Sequence, residues 1–191
     1  MNKLKNYKFS EFSFSVIIEG LKTRLFNLLT KKSLKIFLKG GDILSIYPQT
    51  RGNYEQSLIS IIQKISKDYK YNQFFFDVGA NIGLISCQCG NSFKEVHLFE
   101  PNPDCFKILN VNLDITKKKF KSFSHNFALG ERNKKLDLYI PLHNWGGAFI
   151  LDKNNTYNKK ILSNKDGYKS FNEKNYLKKK ITKNNDILLL I

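Results

Sequence analysis

The chain has 191 residues, a formal net charge of +16, and 41% hydrophobic and 14% aromatic residues. This length suits one domain with a sizeable core. No segment approaches the roughly 20 consecutive apolar residues of a membrane span, and the first residues lack the small-residue cleavage site of a secretory signal. The three cysteines follow no disulfide or zinc-site spacing, so the sequence predicts a cytoplasmic protein without a metal site.

The positive charge comes almost entirely from lysine. Only three of the 32 basic residues are arginine, the residue that recognises phosphates and guanine edges with two parallel hydrogen bonds. Ten lysines stand between positions 153 and 183, against two acidic residues. We interpret this segment as a solvated surface and expect no specific nucleic-acid partner, although a basic module that binds RNA or glycans is an alternative.

Residues 1–53 are predicted to form an extension that precedes the main domain. Its first part suggests a basic amphipathic helix around residues 14–29, which we expect to pack on its own domain; a position on a membrane surface is the alternative. The apolar runs LKIFL and ILSIY follow, separated by Gly40 and Gly41. That arrangement predicts a β-hairpin.

Residues 54–191 begin with a repeating α/β pattern. Leu58, Ile61, Ile62 and Ile65 follow helical spacing and predict one apolar stripe of a helix. The run FFFDV then predicts a strand buried on both faces, and a helix is expected from about Ile82.

A second strand is predicted at VHLFE, which ends at Glu100. Asn102 can cap the following helix and Pro103 suits its first position. A third strand is expected near residues 122–128. Strands that alternate with helices predict parallel pairing in a doubly wound α/β sheet. Further strands are predicted at LDLYI and at the final run, DILLLI.

The loop after the first strand carries the strongest indication of function. Gly79 allows a ligand to approach the backbone, and Gly83 allows the next helix to begin close to the sheet. Glu100 follows Gly79 by 21 positions, where an acid can accept both hydroxyls of an adenosine ribose. A dinucleotide fold would place a second glycine where Asn81 stands. The pattern therefore favours S-adenosylmethionine over NAD, while an NAD-dependent oxidoreductase is the alternative enzyme.

These motifs resemble the FkbM-type S-adenosylmethionine-dependent methyltransferases. The similarity lies in FDVGANIG and FEPNP, with Phe106, Leu109 and Asn112 behind them, and continues through NFALG and NWGG. It implies a Rossmann-like class I methyltransferase that methylates an oxygen of a sugar, glycan or small natural product. Carried over by position, the residues expected on the methionine and ribose side are Asp77, Gly79, Ala80, Asn81 and Gly83. Glu100 would hold the ribose hydroxyls, and Asn126 and Ala128 would lie near the adenine.

The resemblance also predicts an incomplete sheet. Members of the family continue from the fourth core strand into an acidic, glycine-containing segment, whereas this sequence ends at DILLLI. We therefore expect a domain that lacks its C-terminal part, and an inactive fragment is an alternative to a working enzyme. His97, His125 and His143 are candidates for a catalytic base by residue type only, so the base is not assigned.

Overall fold

The computed structural model describes residues 36–42, 44–45, 48, 53–116, 120–150 and 176–184, together with residues 17, 18, 21 and 25. The chain divides into two compact units, Met1–Ser33 and Leu34–Ile191. Helix α1, Gln56–Asp68, is the first helix of the second unit for which both ends are described. Among the described residues, no helix is long and apolar enough to cross a membrane.

Three parallel strands form the first sheet of the second unit, in the order β1-β2-β3. They are β1 (Phe74–Val78), β2 (Glu95–Phe99) and β3 (Lys121–His125). The helices are α1 (Gln56–Asp68), α2 (Leu84–Cys89) and α3 (Pro103–Ile115). The order of these elements confirms the predicted β-α-β-α-β series with parallel pairing.

Local sequence explains where α2 and α3 begin. The side chain of Asn102 accepts a hydrogen bond from the backbone of Asp104, and Pro103 occupies the first turn of α3, as predicted. Gly83 precedes α2 with a φ of 84°, a left-handed conformation that favours glycine. Because Gly83 holds this conformation, α2 begins at Leu84 and not at Ile82 as predicted.

One face of the first sheet packs against helix α3. Val96 and Leu98 are fully buried there with Leu109 and Leu113. The prediction that the FFFDV strand is buried on both faces is wrong, because Phe74 and Val78 are 54% and 62% exposed. Within the described strands, β1 pairs on one side only, with β2. The predicted fourth strand, residues 186–191, lies outside the described residues.

Helix α1 forms where the apolar spacing predicts it, but a different face is buried. Ile59 and Ser66 are almost fully buried, whereas Leu58, Ile61 and Ile65 are each at least 42% exposed. The Ser66 hydroxyl donates a 2.7 Å hydrogen bond to the carbonyl of Ser92. Burial of Ser66 costs little because its hydroxyl has this partner. The polar residue therefore lies inside, while Leu58, Ile61 and Ile65 of the predicted stripe face outward.

Among the described residues, the hairpin predicted at residues 34–47 is confirmed only at its turn. Gly40 and Gly41 do form a turn, but Ile36–Lys39 is not a strand and Leu44 and Ser45 are helical. The carboxylate of Asp42 accepts a 2.9 Å hydrogen bond from the backbone of Leu44, which starts a helical turn as a capping residue does. Capping by Asp42 therefore replaces the strand pairing that the apolar pattern indicated.

A second, mixed sheet has the strand order β4-β7-β5-β6. Its strands are β4 (Ala128–Leu129), β5 (Lys134–Pro141), β6 (Phe149–Ile150) and β7 (Tyr176–Asn184). The predicted LDLYI strand is confirmed as part of β5, although β5 pairs antiparallel with β6 and β7. The predicted third strand divides, since β3 ends at His125 and Ala128 belongs to β4.

Strand β7 shows why a lysine-rich sequence can still form a strand. Lys178 and Lys180 lie on the same side of β7 and contact the carboxylate of Asp137 on β5, at 3.1 and 2.6 Å. Lys179 contacts Asp104 of helix α3 at 3.2 Å. Lysines that face carboxylates are not available as a continuous phosphate-binding surface, so β7 does not favour the RNA-binding alternative.

The contact between Gly90 and Phe120 gives a first prediction of stability. A Cβ on Gly90 would lie 2.5 Å from two ring atoms of Phe120, which belongs to the main core cluster. We expect Gly90→Ala to lower the free energy of unfolding by about 1–3 kcal/mol, as measured by urea denaturation. The matched control is Gly40→Ala, where a Cβ would meet nothing within 4 Å; equal losses for both variants would contradict the packing explanation.

Candidate cofactor site

A cavity of about 430 Å³ lies beyond the carboxyl ends of β1 and β2. This is where open α/β sheets bind ligands, and the volume lies within the range of small-molecule sites. The segments that line it are the β1 loop, the residues after β2, the start of α1, part of α2 and a turn near residue 145. The lining residues are Leu44, Tyr54, Glu55, Asp77, Val78, Gly79, Ala80, Asn81, Leu84, Ile85, Glu100, Pro101, Leu138, Trp145, Gly146 and Ala148.

The β1 loop is held against the end of β2 by its own backbone. The N–H groups of Gly79 and Ala80 both donate to the carbonyl of Phe99, at 2.9 and 3.0 Å. Gly79 has a φ of 81° and Asn81 a φ of 51°. Asparagine tolerates this left-handed conformation better than most residues, which explains how a side chain occupies the middle of a glycine loop.

Glu100 joins the two loops that border the cavity. One carboxylate oxygen, Oε2, accepts a 2.7 Å hydrogen bond from the backbone of Asn81, and the other, Oε1, accepts one from Asn102 at the same distance. The residue is only 6% exposed. Each carboxylate oxygen can accept a second hydrogen bond. Glu100 can therefore bind a ligand's hydroxyl groups while it fixes the loops around them.

A second buried acid, Asp77, stands at the end of β1. Its Oδ2 accepts a 2.5 Å hydrogen bond from the hydroxyl of Ser86 on helix α2. Burial raises the pKa of Asp77, while the hydrogen bonds from Ser86 act in the opposite direction. Burial also raises the pKa of Glu100 to about 7, against the lowering effect of the Asn102 and Asn81 backbone groups. Both acids thus lie in a cavity that disfavours a bare negative charge.

Leu44 and the turn at Trp145–Gly147 form another wall of the cavity. The buried carboxylate of Asp42 accepts hydrogen bonds from the backbone of Leu44, at 2.9 Å, and of Trp145, at 2.8 Å. The two segments are in close contact at Gly146, where a Cβ would collide with the side chain of Leu44. Asp42 therefore fixes two segments that are 103 positions apart in the sequence.

The predicted site residues fall into two groups. Asp77, Gly79, Ala80, Asn81 and Glu100 come together as lining residues of the cavity. The others do not line it: Gly83 packs against Cys87 and Leu109, Asn126 donates to the carbonyl of Glu100 at 2.8 Å, and Ala128 packs in the second sheet.

Sequence reasoning did not identify part of the lining as a site. Leu44 falls in the predicted extension, and Tyr54 and Glu55 precede the apolar stripe of the predicted helix, so none of the three is an expected site residue. The NWGG segment was noticed for its resemblance alone. Glu55 has a φ of 46°, an uncommon conformation for a residue other than glycine. The pairing of Asp42 with a turn 103 positions away leaves no mark in sequence spacing.

Two of the three histidines lie on the other face of the first sheet. The ring of His97 stacks between those of Phe76 and Phe123, at 5.1 and 4.8 Å, and His125 stacks on Phe99 at 4.6 Å. Burial lowers the pKa of His125. His143 is exposed in a turn. None of the three lines the cavity, so none is assigned as a base.

The raised pKa of Glu100 predicts a characteristic pH dependence of stability. Between about pH 4.5 and 7 the folded chain retains a proton on Glu100 that the unfolded chain releases. The stabilising contribution is therefore present at low pH and is lost as the pH rises through about 7.

We expect this loss to reach about 3 kcal/mol in wild type and to be absent in Glu100→Gln. Urea denaturation of both chains at a series of pH values from 4.5 to 8 measures it, and the difference between them cancels the effect of the overall charge. If the free energies of unfolding of wild type and Glu100→Gln changed with pH in the same way, the effect of burial on Glu100 would be contradicted.

No protein-family profile matches the chain, and no curated protein sequence matches it. Among solved structures, it is similar to a Pyrococcus horikoshii protein described as a "putative RNA methyltransferase", with 23% sequence identity and a TM-score of 0.32. The match covers 53% of this chain and 50% of the Pyrococcus protein. The chain therefore spans about half the length of that protein.

Proposed function

We propose that the chain binds S-adenosylmethionine in the cavity beside Glu100 and transfers its methyl group to a hydroxyl of a sugar, glycan or small natural product. One observation carries the choice of cofactor: the charged side chains that line the cavity are all carboxylic acids. They are Glu55, Asp77 and Glu100, and no lysine or arginine is among the described lining residues. This is unusual for a local surface in a chain with a net charge of +16.

The charge of the lining separates the two candidate cofactors. S-adenosylmethionine carries a positive sulfonium and a positive ammonium beside one negative carboxylate, and acidic side chains attract its net positive charge. NAD carries two negative phosphates, for which the described lining of the cavity offers no lysine or arginine. The loop agrees with this choice, because Asn81 occupies the position where a dinucleotide site has its second glycine. The Nδ2 atom of Asn81 lies 3.1 Å from the position that a Cβ on Gly146 would take. The Asn81 side chain is therefore packed against the turn that holds Gly146.

The residues of the chain have distinct roles under this proposal. The cofactor, when bound, supplies an activated methyl group for in-line displacement. Glu100 accepts hydrogen bonds from the ribose hydroxyls and orients them. Asp77 attracts the positive ammonium group of the amino-acid end. Leu44 and Trp145, joined through Asp42, limit the access of water. The protein thus acts mainly by positioning. The acceptor class rests on the motifs that resemble the FkbM-type family and is itself part of the proposal.

We also assign this activity to the cytoplasm. Cys89 and Cys105 are buried free thiols. Burial raises the pKa of Cys89 to about 12, which keeps that sulfur protonated and unreactive. Free thiols of this kind are typical of proteins in a reducing compartment.

Methyl transfer can be tested with a panel of candidate acceptors. The purified chain is incubated with S-adenosylmethionine that carries a deuterated methyl group and with a series of monosaccharides, oligosaccharides and polyols, and products are detected by mass spectrometry. We expect a labelled methyl on a hydroxyl of at least one acceptor, and its loss in Glu100→Ala. Cofactor binding without transfer to any acceptor would contradict the enzymatic part of the proposal and leave the binding site intact.

A further inference from the structure

The N-terminal unit, Met1–Ser33, carries an apolar helical face that is open to solvent. Ile17, Ile18, Leu21 and Leu25 are helical. Their exposed fractions are 59%, 37%, 59% and 59%. Large aliphatic side chains with this exposure are costly in water when they adjoin one another. A helix with such a face needs an apolar surface on which to lie.

On a continuous α-helix these four positions share one face. At about 100° of rotation per residue, positions 17, 18, 21 and 25 fall within an arc of about 100°. That width is typical of an amphipathic helix that lies on an apolar surface. In the sequence, Lys22 and Arg24 stand among these positions, and Lys31 and Lys32 follow them. Basic residues beside an arc of leucine and isoleucine characterise helices that lie at the membrane interface.

The charge of the segment indicates which surface it binds. Met1–Ser33 contains seven basic and two acidic residues, a formal charge of +5. We propose that this unit attaches the protein to a membrane surface that contains anionic lipids, with Ile17, Ile18, Leu21 and Leu25 inserted among the lipid chains. Anionic headgroups attract the lysines, and the apolar arc loses its contact with water.

Charge also argues against a second copy of the chain as the occupant. Each copy has a net charge of +16, and the N-terminal unit is itself basic. Two such units that met through this face would repel each other, whereas an anionic bilayer offers both the opposite charge and an apolar layer. The proposal is independent of the cofactor site, since none of the four residues lines it.

Vesicle binding by the full-length chain tests the proposal. Sedimentation is measured with vesicles of phosphatidylcholine alone and of 70% phosphatidylcholine with 30% phosphatidylglycerol. We expect binding to the anionic vesicles that is at least about tenfold stronger than to the neutral ones, and weaker at high salt. The double variant Leu21→Glu with Leu25→Glu should bind the anionic vesicles at least about tenfold more weakly than wild type does.

The matched control is Ile61→Glu with Ile65→Glu on helix α1. It makes the same change of charge at two apolar residues that are 56% and 42% exposed, and it should retain most of the vesicle binding. Equal losses in both double variants would overturn the proposal, because charge alone would then explain the attraction. The proposal would also be overturned if the wild-type chain did not bind anionic vesicles. It would equally be overturned if light scattering showed an oligomer that the Leu21→Glu and Leu25→Glu changes dissociate. Titration with S-adenosylhomocysteine should be unaffected by either variant.

Discussion

Replacing Glu100 with alanine is expected to weaken the binding of S-adenosylhomocysteine by about 1–3 kcal/mol, or about 5- to 150-fold. Glu100 is the buried carboxylate that borders the cavity and accepts hydrogen bonds from Asn81 and Asn102. Its loss removes the acceptor for the ribose hydroxyls and leaves two backbone donors without their partner. Isothermal titration calorimetry on folded protein measures the change.

The matched control for this variant is Glu95→Ala. Glu95 lies at the opposite end of the same strand, β2, where it contacts Lys121 at 3.2 Å on the surface. Exposed ion pairs contribute little, so Glu95→Ala should bind S-adenosylhomocysteine as wild type does. An unchanged affinity in Glu100→Ala would contradict the assignment of Glu100, even if the chain binds the ligand.

Replacing Asn112 with alanine is expected to have the largest effect on stability, a loss of about 3 kcal/mol or more in the free energy of unfolding. Asn112 is fully buried on helix α3. Its amide accepts a hydrogen bond from the backbone N–H of Phe37 and donates to the carbonyls of Phe37 and Ile82, at 2.5, 3.1 and 2.7 Å. Alanine would leave the buried carbonyl of Ile82 and both backbone groups of Phe37 without this partner.

Urea denaturation of Asn112→Ala and of Val111→Ala provides the comparison. Val111 is the preceding residue on the same helix and is 42% exposed, so its truncation should cost less than about 1 kcal/mol. Since Ile82 belongs to the glycine loop, Asn112→Ala should also weaken the binding of S-adenosylhomocysteine. A loss of stability as small as that of Val111→Ala would show that the three hydrogen bonds contribute little.

Local signals predicted the first sheet and much of the site. The capping side chain of Asn102 and the proline after it predicted the start of α3, and the left-handed residues of the glycine loop are set by short-range sterics. The 21-residue separation of Gly79 and Glu100 corresponds to one β-α-β unit, which places both at the same edge of a parallel sheet. These features depend on residues that are close in sequence or on a regular repeat.

The features that the sequence did not predict depend on contacts between distant residues. The roles of Asp42 and Asn112 arise from hydrogen bonds to residues 103 and 75 positions away. The strand β7 was overlooked because its lysines suggested a solvated surface, yet Asp137 on the neighbouring strand pairs with two of them. Helix α1 can bury Ser66 because its hydroxyl donates a hydrogen bond to a carbonyl of another segment. Side-chain periodicity contains no information about such partners.

The most direct test of the account is a calorimetric titration of the wild-type chain with S-adenosylhomocysteine, with NAD titrated in parallel and circular dichroism used to confirm folding. S-adenosylhomocysteine keeps the ribose hydroxyls and the ammonium group that Glu100 and Asp77 would bind, whereas NAD carries two phosphates for which the described lining offers no basic side chain. We therefore expect heat of binding with S-adenosylhomocysteine and none with NAD. Binding of NAD in preference to S-adenosylhomocysteine, or no binding of S-adenosylhomocysteine by the folded chain, would contradict the assignment of this cavity as a site for S-adenosylmethionine.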